Sequence, residues 1–497
     1  MSHPPRPGPL HFALLALVVA AMVWGALAFG AVYPWAFTPL AIGCALAGLA
    51  ALAAGRADRP PLGTLAVGLA AVGLAIGLQL IPLPSTVLDR VSPEADALLR
   101  PANLAAAVSP SRLPVSIVPD RTLVGFGLFA AFALFLLGCA RITSIVGALR
   151  VSVFAIGFGV LLALVGIGQD AMTANDIHPV IYGFWAPLGG RPFGPFVNRN
   201  HFAGWMLMTV PLALTGVTDA LLRAFDAGRG RSRDKLRWLS SGELGVPLLL
   251  ACSYLVMGLS VLLTRSRSGV MAFAAGTTLV ALMVLRHQTS SRRRFVIAAA
   301  FLVLLVGSAA WAGLDTAVGK FFESDPIQST VGGRSGAWRD TVEIIRHFPL
   351  TGTGLNTYGS AMTLYQSDSR EMHYQEAHND YLQLAAEGGL LVGLPVLFTI
   401  AVFTRDVRRR FQEAPREGTT YWLRVGAVVG LISIALQSFV EFSLQMPGNA
   451  ALFAIVAGIA LHRSPNLRTA PRSEPLASRR VSHAEPYHVQ ADQRSGR

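Results

Sequence analysis

The chain has 497 residues, of which 53% are hydrophobic and 14% charged, and its formal net charge is +13. Apolar runs of about twenty residues recur along it, which is the length that crosses ~30 Å of hydrocarbon. The composition therefore predicts an all-α polytopic membrane protein. It excludes a nucleic-acid partner, because no binding fold and no aromatic-interleaved basic patch accompany the positive charge.

The apolar runs predict twelve transmembrane helices. Nine fall within residues 1–314, at about 11–31, 36–54, 62–82, 122–140, 151–168, 201–218, 245–264, 269–285 and 295–314. Three fall within 381–462, at about 381–403, 421–440 and 446–462. The first run follows Arg6 and is interpreted as a retained helix, because it is too long for the apolar region of a usual signal peptide and further spans follow.

Charge and cysteine positions indicate how the spans are arranged. The basic clusters 223–237, 286–294 and 405–416 fall on the same side of the membrane when the spans alternate. The positive-inside rule then predicts that both termini are cytoplasmic, and the clusters are expected to contact anionic membrane lipids.

The tail 463–497 is rich in Arg, Ser and Pro and is predicted to be disordered. The three cysteines all lie inside spans, without disulfide or metal spacing.

Three segments on the opposite side are long enough to fold: 83–121, 169–200 and 315–380. The last is a large loop with the pattern of an amphipathic helix. Its predicted apolar face consists of Trp338, Val342 and Ile345, and its predicted polar face consists of Arg339, Asp340, Glu343 and Arg346. Pro349, Gly352 and Gly354 should end this helix and impose a tight turn.

The stretch HYQEAHNDYLQLAAEGGLLVG, residues 373–393, begins polar and becomes apolar. Glu376, Asp380, Gln383 and Glu387 recur at offsets of three and four, which predicts a polar stripe on a helix that descends into the bilayer. An acid inside the membrane costs up to ~2.5–3.5 kcal/mol, so the stripe should line a wet cavity or the protein interior. Alternatively, Glu376 and Asp380 only complement the dipole of an interfacial helix start.

Arginines recur at the same predicted interface. Arg265 and Arg267 occur in LLTRSRSGVMAF, Arg199 occurs in FGPFVNRNHFAGW, and Arg334 and Arg339 open the amphipathic helix. A guanidinium stays charged and can hold two oxygens at once, so several of them could bind a phosphate or diphosphate. Each one alone could equally be an ordinary snorkelling arginine.

Metal binding and nucleotide-sugar chemistry are less well supported. His347, His373, His378, Glu376 and Asp380 have suitable ligand atoms, but no HExxH-like spacing joins them. The sequence also contains no Asp-x-Asp pair, which many metal-dependent nucleotide-sugar transferases use. We therefore expect no metal site and no cofactor.

Several of these motifs together resemble the O-antigen ligase/polymerase family of bacterial envelope glycosyltransferases. The resemblance is carried by FGAVYPWAF, FVNRNHFAGW and TRSRSG, and above all by GRSGAWRDTVEIIRHFPLTGTGLNTY followed by AHNDYLQLAAEGGLLVGLPV. It implies a reaction at the periplasmic face of the inner membrane, in which a glycan moves from a polyprenyl-diphosphate carrier to an acceptor hydroxyl on a glycan, lipid or protein. Neither a metal ion nor a nucleotide takes part in the implied reaction.

The resemblance also implies functional residues: Ser266 with Arg267, then Arg334 or Arg339, then His378. The additional Arg265 leaves open which arginine meets the phosphates. Polyprenyl diphosphate is a good leaving group, so arginines would stabilise the developing charge while His378 accepts the hydroxyl proton, a contribution typically of ~10²–10⁴-fold. Asp380 or Glu387 would hold the imidazole ring or bind sugar hydroxyls.

The sequence leaves two kinds of alternative open. Ligase, polymerase and protein O-glycosylation enzyme share these features. A transporter or flippase of lipid-linked glycans is the alternative from another class. It is disfavoured because the polar residues gather at one interface and the spans lack a matching pair of interrupted segments.

Overall fold

The computed structural model of the protein describes residues 7–54, 63–102, 112–173, 180–187, 191–227, 245–287, 333–367, 373–413 and 418–463, with a few single positions between 291 and 302. Over these ranges the chain is helical and forms no strand, which confirms the all-α fold class. Most of the predicted span 295–314, the start of the large loop and nearly all of the predicted disordered tail lie outside the described residues.

The described residues form fifteen α-helices, numbered here in chain order. They are α1 Pro9–Leu27, α2 Pro34–Ala53, α3 Gly63–Leu78, α4 Ser85–Val91, α5 Pro93–Ala102, α6 Pro119–Val146, α7 Ala148–Met172, α8 Arg199–Ala227, α9 Gly245–Leu263, α10 Arg267–His287, α11 Gly333–His347, α12 Tyr358–Tyr365, α13 Asp380–Glu413, α14 Thr419–Gln437 and α15 Pro447–Leu461.

Within the described ranges, nine helices are long and apolar enough to cross a membrane, and α3 and α15 are apolar but shorter. Together these helices coincide with eleven of the twelve predicted spans. The predicted count of twelve is not confirmed, because the remaining span is the one that falls mostly outside the described residues.

The bundle is organised around α8, which packs against α9, α10 and α14, while α6 packs against α2 and α15. Trp205 of α8 and Trp422 of α14 are both fully buried in its core. Where α2 crosses α6, a Cβ added to Gly138 would lie 2.7 Å from the Cα of Gly48. Small residues allow backbones to approach this closely in membrane proteins, so these two glycines set the distance between α2 and α6.

Two of the segments predicted to fold outside the bundle form one small unit, which we call the cap. Its apolar core combines Leu88 of α4, Val115, Ile344 of α11 and Met362 of α12, all of them buried. We call the end of the bundle that carries it the capped end. Gln79 is fully buried and ties the cap to the bundle, because its Nε2 donates to the carbonyl oxygens of Thr351 at 2.7 Å and Glu387 at 2.8 Å.

The amphipathic helix is present as α11, but the prediction of its buried face was wrong. Ala337, Thr341 and Ile344 are the buried positions, whereas Trp338, Val342 and Ile345 are only partly buried. Asp340, predicted to face solvent, is also buried and accepts hydrogen bonds from the N–H and the hydroxyl of Ser367. The cap packs on the helix from a side that its sequence period alone does not define.

The turn predicted after this helix is confirmed. Gly352 has φ +66° and Gly354 has φ +104°, which is the region that favours glycine. A Cβ added to Gly352 would lie 2.1 Å from the carbonyl oxygen of Glu387. The turn therefore packs directly against the first part of α13.

Candidate active site

His378 lies at the capped end, immediately before α13. Asn379 caps that helix, because its Oδ1 accepts the backbone N–H groups of Tyr381 and Leu382, both at 3.0 Å. Trp338 of α11 donates its indole N–H to the carbonyl oxygen of Ala377 at 2.9 Å. His378 itself has φ +51°, a strained conformation for a residue with a side chain. Its position is thus fixed from both sides by α11 and α13.

The imidazole of His378 contacts a carboxylate that the sequence analysis did not identify. Its Nδ1 lies 3.6 Å from Oε2 of Glu441, and the two side chains are 28% and 2% exposed. The other oxygen of Glu441 accepts a hydrogen bond from Arg334 at 2.8 Å and one from Asn200 at 2.6 Å. Arg334 also donates to the carbonyl oxygen of Val440.

Glu441 is ionised in this environment. Burial opposes ionisation, but the neighbouring His378 and the charge of Arg334 outweigh it, so the pKa of Glu441 lies below its ordinary value. A sequence signal for this residue exists: Glu441 is the sole Asp, Glu, Lys or Arg between Arg424 and Arg463. A single acid in so long an apolar region is a functional candidate.

Phe442, the next residue, lies between two histidines. Its ring centroid is 4.7 Å from that of His378 at an interplanar angle of 86°, and 4.7 Å from that of His201 at 81°. His201 is only 3% exposed. These edge-to-face contacts restrict the orientation of the His378 ring.

The turn that carries Glu441 and Phe442 is attached to the start of α8. The side chains of Gln437 and Ser443 both donate to the carbonyl oxygen of Asn200, at 3.1 and 3.3 Å. Asn449 donates to the carbonyl oxygen of His201 at 3.0 Å. The motif FVNRNHFAGW therefore positions the carboxylate that faces His378.

Three arginines, Arg191, Arg265 and Arg267, lie within electrostatic range of Arg199, and we call these four residues the arginine cluster. The charges that act on the Arg199 guanidinium come from Arg191, Arg265, Arg267 and Glu441. The backbone N–H of Arg199 donates to the carbonyl oxygen of Arg191 at 2.8 Å, and Arg265 is exposed with φ +53°. Positive charge thus exceeds negative charge around Arg199, which also interacts with Glu441.

Helix dipoles add to this positive field. The helices α8, α10 and α13 begin at Arg199, Arg267 and Asp380, which belong to the arginine cluster or closely follow His378. The N-terminus of a helix carries partial positive charge, which favours anions. The region is suited to an anionic group with several oxygens.

Two predicted substrate-binding residues, Ser266 and Arg339, have contacts away from the His378 and Glu441 pair. Ser266 is buried, and its Oγ accepts the N–H of Gly269 at 3.2 Å, so it caps the start of α10 and thereby fixes Arg265 and Arg267. Arg339 is exposed and donates to Ser367 at 3.1 Å. Of the two arginines that the sequence offered in the large loop, Arg334 is the one that contacts Glu441, the partner of His378.

The sequence analysis predicted that the polar stripe lines either a wet cavity or the protein interior. In the structure the stripe on α13 lines the protein interior. Glu387 does not hold the His378 ring. Its oxygens accept the N–H groups of Asn356 at 2.8 Å and Tyr358 at 2.9 Å, which caps α12. Asp380 accepts a hydrogen bond from Gln445 at 2.9 Å.

Glu376 is the stripe residue outside the membrane-spanning helices. It accepts a hydrogen bond from Gln383 at 2.5 Å. Burial raises the pKa of Glu376 to about 8, and the neighbouring Glu387 and Asp380 contribute to the increase.

The predicted metal-ligand atoms are not brought together in the part of the chain that the structure describes. No group of three or more His, Cys, Asp or Glu residues there could hold a metal ion. His347 instead lies in the cap, with its Nδ1 2.8 Å from the hydroxyl of Tyr365 and 3.8 Å from Oε1 of Glu94.

Comparison with known proteins finds a family match for one part of the chain. Residues 252–398 match a family model described as O-antigen ligase, which confirms the resemblance seen in the sequence. The match contains Arg265, Arg267, Arg334 and His378 but neither Arg199 nor Glu441. None of the curated proteins matches the chain. The match supports glycan transfer in envelope polysaccharide assembly by a multi-pass bacterial membrane protein.

Proposed function

We propose that this chain, whose residues 252–398 match a family model described as O-antigen ligase, transfers a glycan from a polyprenyl-diphosphate carrier to an acceptor hydroxyl. One observation carries the proposal. An imidazole, His378, lies 3.6 Å from a buried carboxylate, Glu441, and this carboxylate interacts electrostatically with Arg199 of the arginine cluster. The acceptor hydroxyl belongs to a glycan, a lipid or a protein.

His378 acts as the general base in this proposal. In this scheme Nδ1 carries its proton toward Glu441, which it faces, and Nε2 offers its lone pair to the acceptor. As the acceptor oxygen attacks the anomeric carbon, Nε2 takes its proton. The imidazolium that forms is stabilised by the Glu441 carboxylate.

The arginine cluster holds the diphosphate. When the bond between the anomeric carbon and the diphosphate oxygen breaks, the electron pair moves to that oxygen. Guanidinium groups and helix N-termini stabilise the resulting charge, and because they are positioned before the reaction they need no reorganisation. No step in this scheme requires a metal ion or a nucleotide.

The membrane determines where the apolar and the polar half of the donor lie. The isoprenoid chain lies along the apolar helices, and the glycan lies at the capped end. We assign the capped end to the periplasmic face of the inner membrane and both termini to the cytoplasm, because the basic clusters 223–237, 286–294 and 405–416 follow the positive-inside rule.

The direct test is transfer by the purified protein in lipid nanodiscs. The donor is the polyprenyl-linked glycan extracted from the host, the acceptor is a sugar-bearing lipid from the same membrane, and ATP is omitted. We expect a product whose mass equals that of the acceptor plus the glycan. If the same protein in sealed vesicles moves the lipid-linked glycan across the membrane without forming this product, it is a flippase and the proposal is wrong.

The acceptor class is tested in cells that lack the protein. Accumulation of carriers with single repeat units would indicate that the protein polymerises units. Accumulation of carriers with complete polymer would indicate that it ligates polymer to a final acceptor.

A further inference from the structure

Six aromatic side chains at the capped end form a second feature, which the proposed reaction does not use. We call it the aromatic shelf, and it consists of Trp24, Phe29, Tyr33, Trp35, Tyr182 and Trp185. Phe29 lies at its centre, with ring centroids 5.1 to 6.0 Å from those of Tyr33, Trp35, Tyr182 and Trp185. Trp24, Trp35 and Tyr182 remain 43%, 51% and 45% exposed.

The polar atoms of Trp24, Tyr33, Tyr182 and Trp185 form hydrogen bonds within the protein. Trp24 donates its indole N–H to the carbonyl oxygen of Ala36 at 2.9 Å, and Tyr182 donates its hydroxyl to that of Leu27 at 2.7 Å. Trp185 donates to the Tyr33 hydroxyl at 3.0 Å. Aromatic residues that anchor a protein at a membrane surface direct these polar atoms toward the headgroups. Here these polar atoms are hydrogen-bonded within the protein, so the shelf presents mainly ring surface to the outside.

The backbone of the shelf is strained. Among the described residues, six other than glycine have positive φ angles. Phe29, Ala31 and Tyr182 are in or beside the shelf, while Arg265 and His378 are in the proposed active site. Such conformations are unfavourable for bulky residues and concentrate at functional sites, where surrounding contacts maintain them.

The shelf adjoins the active site through one short segment. A Cβ added to Gly30 would lie 2.9 Å from the ring of Phe196, so the turn that contains Phe196 packs against the shelf. The same segment contains Arg191 and Arg199, which are joined by a backbone hydrogen bond. A chain-like ligand bound at the arginine cluster could therefore continue onto the shelf.

From these observations we infer that the aromatic shelf binds sugar rings of the donor glycan, beyond the sugar attached to the diphosphate. This inference rests on the proposed function. Pyranose rings present C–H faces that pack on the negative faces of aromatic rings. The shelf contains no charged side chain, so it does not suit a phosphate. Phe29, Tyr33, Tyr182 and Trp185 lie beyond the ends of the spanning helices, where the glycan rather than the isoprenoid is expected. Trp24 and Trp35 lie in the last turn of α1 and the first turn of α2.

The first test measures binding without catalysis. The probe is the lipid-free glycan that mild acid releases from the host's polyprenyl-linked pool, and saturation-transfer NMR follows its binding to full-length protein in nanodiscs. Trp35→Ala and Tyr182→Ala should each weaken binding about two- to tenfold, and Trp35→Phe should largely retain it. Phe398→Ala, which removes an exposed aromatic ring from α13, is the matched control and should have no effect.

His378→Ala should bind this probe like the wild type, so failure of transfer and failure of the shelf are distinguishable. Equal binding by the wild type and both shelf variants would overturn the inference. If the shelf variants lose thermal stability but keep their affinity, the rings are structural or anchor the protein in the membrane, which overturns it as well.

The second test compares donors. Carriers with one sugar and carriers with a longer glycan are supplied on the same polyprenyl chain. In the shelf variants the KM of the longer donor should rise while its kcat and the KM of the one-sugar donor stay unchanged. A KM change that follows the length of the polyprenyl chain instead would show that the shelf holds lipid, and the inference would be wrong.

Discussion

Nδ1 of His378 lies 3.6 Å from Oε2 of Glu441, although α13 and α14 separate the two residues along the chain. The contact joins a residue in a strained backbone conformation to a carboxylate that Arg334 and Asn200 also hold. It gives the imidazole a defined orientation, and in the proposed reaction the other ring nitrogen meets the substrate. The following predictions test this arrangement.

Replacement of the general base should abolish transfer. His378→Ala is expected to reduce kcat by at least ~10²-fold, because no general base is left to take the proton from the hydroxyl of the acceptor substrate. His347→Ala is the matched control, since His347 lies in the cap and contacts Tyr365 and Glu94. Radiolabelled glycan transfer by the purified variants measures the effect. Equal activity of the two variants would remove His378 from the site.

Glu441→Gln should retain the shape of the side chain but lose its charge. We expect kcat to fall by about 10²-fold or more, because the imidazolium formed during the reaction loses its partner. Glu441→Asp, which keeps the charge, should retain more of the wild-type kcat than Glu441→Gln. A loss of stability with an unchanged kcat would show that Glu441 serves only to hold Arg334.

The arginine cluster should determine affinity for the donor. Arg199→Ala, Arg265→Ala and Arg267→Ala should each raise the donor KM about ten- to a hundredfold, the range expected for loss of a charged hydrogen bond. The same variants should weaken inhibition by inorganic diphosphate. Arg339→Ala is the control, because that side chain is exposed and contacts Ser367. An effect of Arg339→Ala as large as the others would place the diphosphate elsewhere in the large loop.

Glu376 should make stability depend on pH. Because its pKa in the folded protein is raised from 4.5 to about 8, the folded state binds more protons than the unfolded state between these values. The free energy of unfolding should therefore fall as pH rises from about 4.5 to 8. Glu376→Gln should flatten this dependence in thermal unfolding scans, whereas Glu343→Gln, at an exposed site, should not. A wild-type stability that rises over this pH range would contradict the assignment.

Removal of divalent ions should leave activity nearly unchanged. Transfer by nanodisc-embedded protein is measured before and after treatment with EDTA. The reason is that the arginine cluster and the helix N-termini supply the positive charge that a metal would otherwise provide. Strong inhibition that a divalent ion reverses would contradict this scheme.

Local sequence patterns predicted a large part of the architecture. Eleven apolar runs coincide with apolar helices, and α11 with its glycine turn occurs where its period and breakers indicated. The motifs also identified His378 and the arginines 199, 265, 267 and 334 near the same end of the bundle. These features are readable from sequence because hydropathy, helical period and turn residues act over a few neighbouring positions.

The contacts between distant segments were decided by the tertiary structure. It paired His378 with Glu441, selected Arg334 over Arg339, and gave Ser266 and Glu387 the role of helix caps. It also rotated the buried face of α11, because the cap covers that helix from a direction its sequence does not encode. A sequence period states which residues share a face, but only the packing of α8, α13 and the turn after α14 brings a particular carboxylate to a particular imidazole.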